Sequence, residues 1–150
     1  MKRTFPIFIL IVFLFQSAFL SAQQYQLSSD NKKAIKYYKT AELAYRQKEL
    51  SIAVESLQKA VKKDRDFIEA WMLLGDSYAD LSQKEEAIVA YKEAIRIDPD
   101  FFPRLYYFLG NLSFDLGKYE ESEQHIEQFL SFSEISLHLR QVGEVALESA

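Results

Sequence analysis

Cysteine is absent from all 150 residues. No disulfide can form and no cysteine-linked lipid can be attached, so any fold must stand on packing alone. Glycine is scarce, with 4 residues, and none falls in a phosphate-cradling loop or a nucleophile elbow. The two histidines, His125 and His138, are thirteen residues apart with no acidic partner at ligand spacing. The expectation is therefore no metal, no cofactor and no catalytic residue. Clustered positive charge is also lacking: 18 Lys and Arg stand against 22 Asp and Glu, a net charge of −4. Phosphate neutralisation needs grouped basic side chains, so no nucleic-acid partner is expected. The one basic group, Lys59, Lys62, Lys63 and Arg65, closes an expected helix and suits its negative end, as Glu85-Glu86 and Glu120-Glu121 suit helix starts.

What is present is a chain with 49% hydrophobic, 27% charged and 15% aromatic residues, which is globular rather than disordered. Lys2 and Arg3 precede an apolar run from Phe5 to Phe15, then Gln16, Ser17 and a small-residue end at Ser21-Ala22. That layout predicts a secretory signal peptide over 1–22, cleaved after Ala22, and export to a bacterial periplasm. Leu20 is large for the third position before a cut, which leaves a second reading open: residues 5–22 stay as a membrane anchor. Cleavage would remove two basic residues and no acid, leaving 16 basic against 22 acidic, or −6.

Periodicity organises the remainder. Asp64-Arg65-Asp66-Phe67 and Asp98-Pro99-Asp100-Phe101 are one phrase repeated 34 residues apart. Between them run Trp71-x-x-Leu74-Gly75-x-x-Tyr78, then Ala87-x-x-x-Tyr91-x-x-Ala94 and Pro99. Shifted back by 34, the pattern meets Tyr37, Ala41, Ala44, Ala53, Leu57 and Ala60; forward, it returns as Tyr106-x-x-Leu109-Gly110 with a step of 35. This string resembles the tetratricopeptide repeat almost position for position. Small residues at Ala41, Gly75, Gly110 and Ala87 would let paired helices cross closely, and Tyr91 would be a large knob beside the small hole at Ala94.

The fold expected is all-α: an α-solenoid of about three helix-turn-helix repeats and a C-terminal capping helix. A lead-in covers 23–33, the repeats cover 34–67, 68–101 and 103–135, and a terminal helix or partial repeat covers 136–150. Helices are placed at 30–46, 50–63, 67–81, 84–97, 103–116, 118–131 and 135–148. Asp98-Pro99 stops a helix, Pro103 suits a first turn, and Gly117 can reach positive φ between helices. The third repeat diverges at Ser122, Ile126 and Phe129; Phe129, where the family has alanine, should push its helix outward or alter its angle.

The resemblance also implies a ligand face, lined by first-helix residues just after the Trp-type, Gly-type and Tyr-type positions. Those are Tyr38, Glu42, Tyr45 and Arg46, then Met72, Asp76 and Asp80, then Tyr107, Asn111, Phe114 and Asp115. Within each repeat they share one helical side at i, i+4 and i+7 or i+8. The strip is aromatic and acidic, which suits a neutral to basic peptide or protein partner. In the family's chaperone-tail binders a Lys, Asn and Arg clamp holds a carboxylate; here Glu42 and Asp76 replace two of its asparagines and only Asn111 matches. The function expected is a non-catalytic adaptor, with an envelope structural subunit or the N-terminal part of a larger enzyme as alternatives.

Overall fold

The computed structural model describes residues 26–132. The predicted signal or anchor at 1–22, the helix at 135–148 and His138 lie outside the described residues. Six helices follow in order: α1 Lys32–Arg46, α2 Leu50–Lys63, α3 Ile68–Asp80, α4 Lys84–Ile97, α5 Arg104–Asp115 and α6 Tyr119–Ser131. No strand occurs among the described residues. Links of three residues fold α2 back on α1, α4 on α3 and α6 on α5. Contacts between α2 and α3 and between α4 and α5 then stack one hairpin on the next. The architecture is the expected helical solenoid.

Six boundaries, on four helices, shift by one or two residues for local reasons. The first helix begins at Lys32, not residue 30, because Asn31 is an extended cap whose side chain accepts from the Lys33 and Ala34 amides. Phe67 precedes α3 with ψ 88, and Leu81 already lies beyond its end. Pro103 caps α5 with helical angles rather than opening its first turn, and the helix ends at Asp115. Lys118 caps α6 instead of belonging to it.

The core is built from the repeated small positions. Ala41, Ala53, Ala60, Ala70, Ala87 and Ala94 are wholly buried, with Leu57, Phe67 and Leu109 as the large buried side chains. Close crossing is visible at the glycines. A Cβ at Gly75 would land 2.5 Å from Cδ1 of Tyr91, and one at Gly110 would land 2.6 Å from Cδ1 of Ile126. At the aligned positions repeat 1 has Ala41 and the smaller Leu57, both wholly buried. Phe129 is buried, and its ring meets Tyr107 with centroids 5.5 Å apart. The bulk that replaces alanine is thus taken up as an aromatic contact between α5 and α6.

The turns within the three hairpins share a left-handed residue: Lys48 at φ 61, Ser82 at φ 60 and Gly117 at φ 72. Only the last was expected. A second unexpected element is the lead-in, which straps itself across the junction of α2 and α3. The Ser28 amide and hydroxyl both donate to the buried Glu69 carboxylate, and the Ser28 hydroxyl accepts from the Ile68 amide at 3.0 Å. Ser29 donates to Asp64, and Asn31 Nδ2 donates to the Lys63 carbonyl. Phe67 supplies no side-chain cap to α3. That helix is therefore capped by a serine forty residues upstream.

Candidate peptide-binding face

The first helix of each hairpin carries the predicted face, and the structure brings part of it together. Tyr45 near the end of α1 lies within electrostatic reach of Asp76 and Asp80 of α3. Burial, followed by the charges of Asp80 and Asp76, pushes this phenol up to about 12. Lys48 from the adjoining turn binds Asp80 at 3.2 Å and lies 5.4 Å from the centre of the Tyr45 ring. From behind, the Tyr91 hydroxyl donates to Asp76 at 2.6 Å. Desolvation raises the Asp76 carboxyl above its ordinary value, the Tyr91 bond opposes this, and neighbouring Asp80 adds to it. Tyr91 itself is pushed strongly upward by burial and by Asp76. The result is a polar knot joining repeats 1 and 2, with Asp80 at the solvent side and Asp76 half-buried.

The remaining predicted residues fall in three other settings. Tyr38 is half-buried, its ring tilted against Phe67 with centroids 5.0 Å apart, and Met72 packs against the buried group that includes Ala87, Ile88 and Leu105. Glu42 and Arg46 pair with each other along α1 and are solvated. In repeat 3, Tyr107 leans on Phe108 and Phe129, Phe114 meets Tyr119 edge-on, Asp115 binds Lys84 at 2.8 Å, and Asn111 is exposed. Among the described residues no hydrogen bond, ion pair or ring contact links these four to the knot around Asp76. Lys48–Asp80 and Lys84–Asp115 are the same tie made at successive repeats, between a first helix and the lysine beside a hairpin turn.

A well-formed concavity lies elsewhere among the described residues. A cleft of about 1220 Å³ opens between α2 and α4, over α3, and is lined by Val61, Trp71, Leu74, Tyr78, Val89 and Ala90 with charged residues at its margins. Trp71, Leu74 and Tyr78, read from sequence as scaffold, form its floor. Trp71 Nε1 donates to the Arg65 carbonyl at 2.9 Å and the Tyr78 hydroxyl accepts from Gln58 at 2.8 Å. Met72, Asp76 and Asp80 are absent from this lining. His125 is half-buried beside Tyr106, and burial lowers its pKa. Among the described residues no group of three His, Cys, Asp or Glu could hold a metal, and no helix is long and apolar enough to cross a membrane.

Comparison with known proteins follows the same outline. Residues 75–117 match the family model described as "TPR repeat", and residues 103–135 match "Tetratricopeptide repeat". The chain is similar to the peroxisomal targeting signal receptor of Candida glabrata, 32% identical over 93 residues, covering 62% of this chain and 16% of the receptor. It thus spans a small fraction of that relative's length. Among solved structures, MamA is 25% identical with a TM-score of 0.63, over 72% of this chain and 62% of MamA. The Yersinia enterocolitica type III secretion chaperone SycD, solved in complex with a peptide of the translocator YopD, is 18% identical with a TM-score of 0.68. That match covers 81% of this chain and 93% of SycD. This chain contains tetratricopeptide repeats, and its fold is that of a TPR solenoid.

Proposed function

We propose that this tetratricopeptide-repeat chain is a non-catalytic adaptor that holds a neutral to basic protein segment on the face formed by α1, α3 and α5. The observation that carries the reading is the knot of Tyr45, Asp76 and Asp80, in which two carboxylates and a phenol are fixed across two repeats. Asp76 has lost part of its hydration, so an incoming ammonium or guanidinium would regain for it what folding removed. The exposed Asp80, Asn111 and Phe114 extend the face, the first adding charge and the last apolar contact. Glu42 and Asp76 would repel an acidic tail. Support also comes from the fold, which in the SycD structure is captured with a peptide.

Capture on a peptide array tests the reading, comparing wild type with Asp80→Lys and Tyr107→Ala. Basic and neutral peptides should be retained by wild type and lost on Asp80→Lys, whose change lies at the solvent edge and spares the Tyr91–Asp76 bond. Equal capture by all three proteins would remove the face from consideration. Export is the second part of the proposal, supported by Lys2, Arg3 and the apolar run that follows. The mass of the mature chain decides it: a new N-terminus at Gln23 supports release into the periplasm, and an intact Met1 supports the anchored envelope subunit.

A further inference from the structure

The cleft between α2 and α4 is a second candidate contact surface, on different residues from the face just described. Its floor is apolar, and Val89 at the margin is 62% exposed, adding apolar surface beside that floor. Its charges are segregated. Lys62, Arg65 and Arg96 gather at one end, where Asp66 and Glu93 pair with Arg96 and leave Lys62 and Arg65 as the surplus, and Glu85 and Glu86 stand at the other. Lys62, Arg65, Glu85 and Glu86 make no ion pair among the described residues. Along α4 the two ends are separated by the span from Glu85 to Arg96, roughly 16 Å at the rise of an α-helix, or about three turns.

We propose that this cleft docks an amphipathic helix of a partner protein, with an apolar stripe between an acidic end and a basic end about three turns apart. The apolar stripe would lie on Trp71, Tyr78 and Val89. The acidic end would face Lys62 and Arg65, and the basic end would face Glu85 and Glu86. Charge complementarity selects this occupant: a uniformly acidic helix would meet Glu85 and Glu86, and a uniformly basic one would meet Lys62 and Arg65. Two oppositely charged sites at fixed separation thus read both composition and length.

Trp71 is the chain's single tryptophan and lies in the cleft, so its emission reports occupancy of this site. The probe is a synthetic helical peptide of about four turns with a leucine stripe, two Glu at one end and two Lys about three turns away. A control peptide has Glu at both ends. The first should shift Trp71 emission and bind roughly tenfold more tightly than the control, the advantage falling with salt. Glu85→Lys/Glu86→Lys should reverse that preference. If this variant loses helicity by circular dichroism, Lys62→Glu/Arg65→Glu serves instead and should favour a peptide with Lys at both ends. Asp80→Lys should leave the Trp71 response unchanged, which separates this site from the first-helix face. The proposal is overturned if the charged-end peptide gives no emission shift, or if the peptides bind alike and the charge reversals change nothing.

Discussion

The Tyr91 hydroxyl donates to Asp76 Oδ1 at 2.6 Å, so a residue of the repeat's packing core is bonded to a residue of its solvent-facing strip. The link exists in one repeat of three. Leu57 and Ile126 occupy the Tyr91 position elsewhere, and neither has a hydroxyl. Asp76 is consequently the candidate site residue most tightly coupled to the fold.

The coupling has a pH signature whose sign follows from burial. Desolvation raises the folded-state pKa of Asp76 above the ordinary 3.8. Ionisation in the folded state therefore costs stability; the cost is full above the folded pKa and fades as pH falls through it towards the unfolded value. Asp76→Asn keeps an acceptor for Tyr91 and removes the charge. It should be more stable than wild type at neutral pH, with the difference vanishing below about pH 4. Tyr91→Phe should raise the Asp76 pKa further, since the phenol favours the carboxylate. Carboxyl-carbon NMR titration of Asp76 in wild type and Tyr91→Phe checks the second statement, and chemical denaturation of wild type and Asp76→Asn across pH checks the first; a lower pKa in Tyr91→Phe, or no stability gain for Asp76→Asn at neutral pH, would contradict the account.

Gly75→Ala should destabilise the protein although alanine is the better helix former. The new methyl would enter the Tyr91 ring, 2.5 Å from Cδ1. Overpacking of this kind costs about 1 to 3 kcal/mol, against about 1 kcal/mol gained in helix propensity. The decisive variant is Gly75→Ala/Tyr91→Leu, which copies the Ala41 and Leu57 pair that repeat 1 uses at the same positions. Chemical denaturation of the single and double variants should show a favourable coupling of about 1 kcal/mol or more. Additive losses would mean the ring and the glycine are not in the contact described.

The double variant can be written down from sequence alone, because spacing of 34 carries the fold: Ala41 and Gly75, Leu57 and Tyr91 align by counting. A period reports residues that do the same job in each repeat. It is silent on features that occur once, such as the Tyr91–Asp76 bond and the Ser28–Glu69 strap. Glu69 aligns with Ile35 in the first repeat and Arg104 in the third, so no recurrence marked it. The cleft was missed for a different reason. Trp71 and Tyr78 matched a packing motif, and a residue that packs on one side can still present its other side to solvent. The face on α1, α3 and α5 was legible as a helical stripe, but the stripe cannot reveal that Tyr38 and Met72 spend their surface on core packing.

Ser82→Gly should stabilise the second hairpin. Ser82 holds φ at 60, where an L side chain crowds its own backbone at about 1 to 2 kcal/mol, while Gly117 fills the equivalent turn of repeat 3 at φ 72. Glycine returns part of this gain through its freer unfolded chain, leaving a net of about 0.5 to 1 kcal/mol. Lys48, at φ 61, is a poorer test because its amine binds Asp80. A rise in thermal midpoint for Ser82→Gly is the expected reading, and a fall would show that the serine is not strained.

Ser28→Ala should weaken α3 from a distance. The Ser28 hydroxyl accepts from the Ile68 amide at 3.0 Å and donates to the buried Glu69 carboxylate. Losing the cap removes about 1 kcal/mol, and leaving Glu69 with one donor fewer adds to it, so about 1 to 3 kcal/mol is expected. Because the strap crosses from the lead-in to the α2–α3 junction, the effect should concentrate in the middle of the chain. Hydrogen exchange distinguishes this from a general loss of stability. The Ile68 amide, deprived of its acceptor, should exchange faster by more than the global change accounts for, whereas Leu109 in α5 should follow the global change. Unaltered relative protection at Ile68 would mean that α3 does not depend on the strap for its cap.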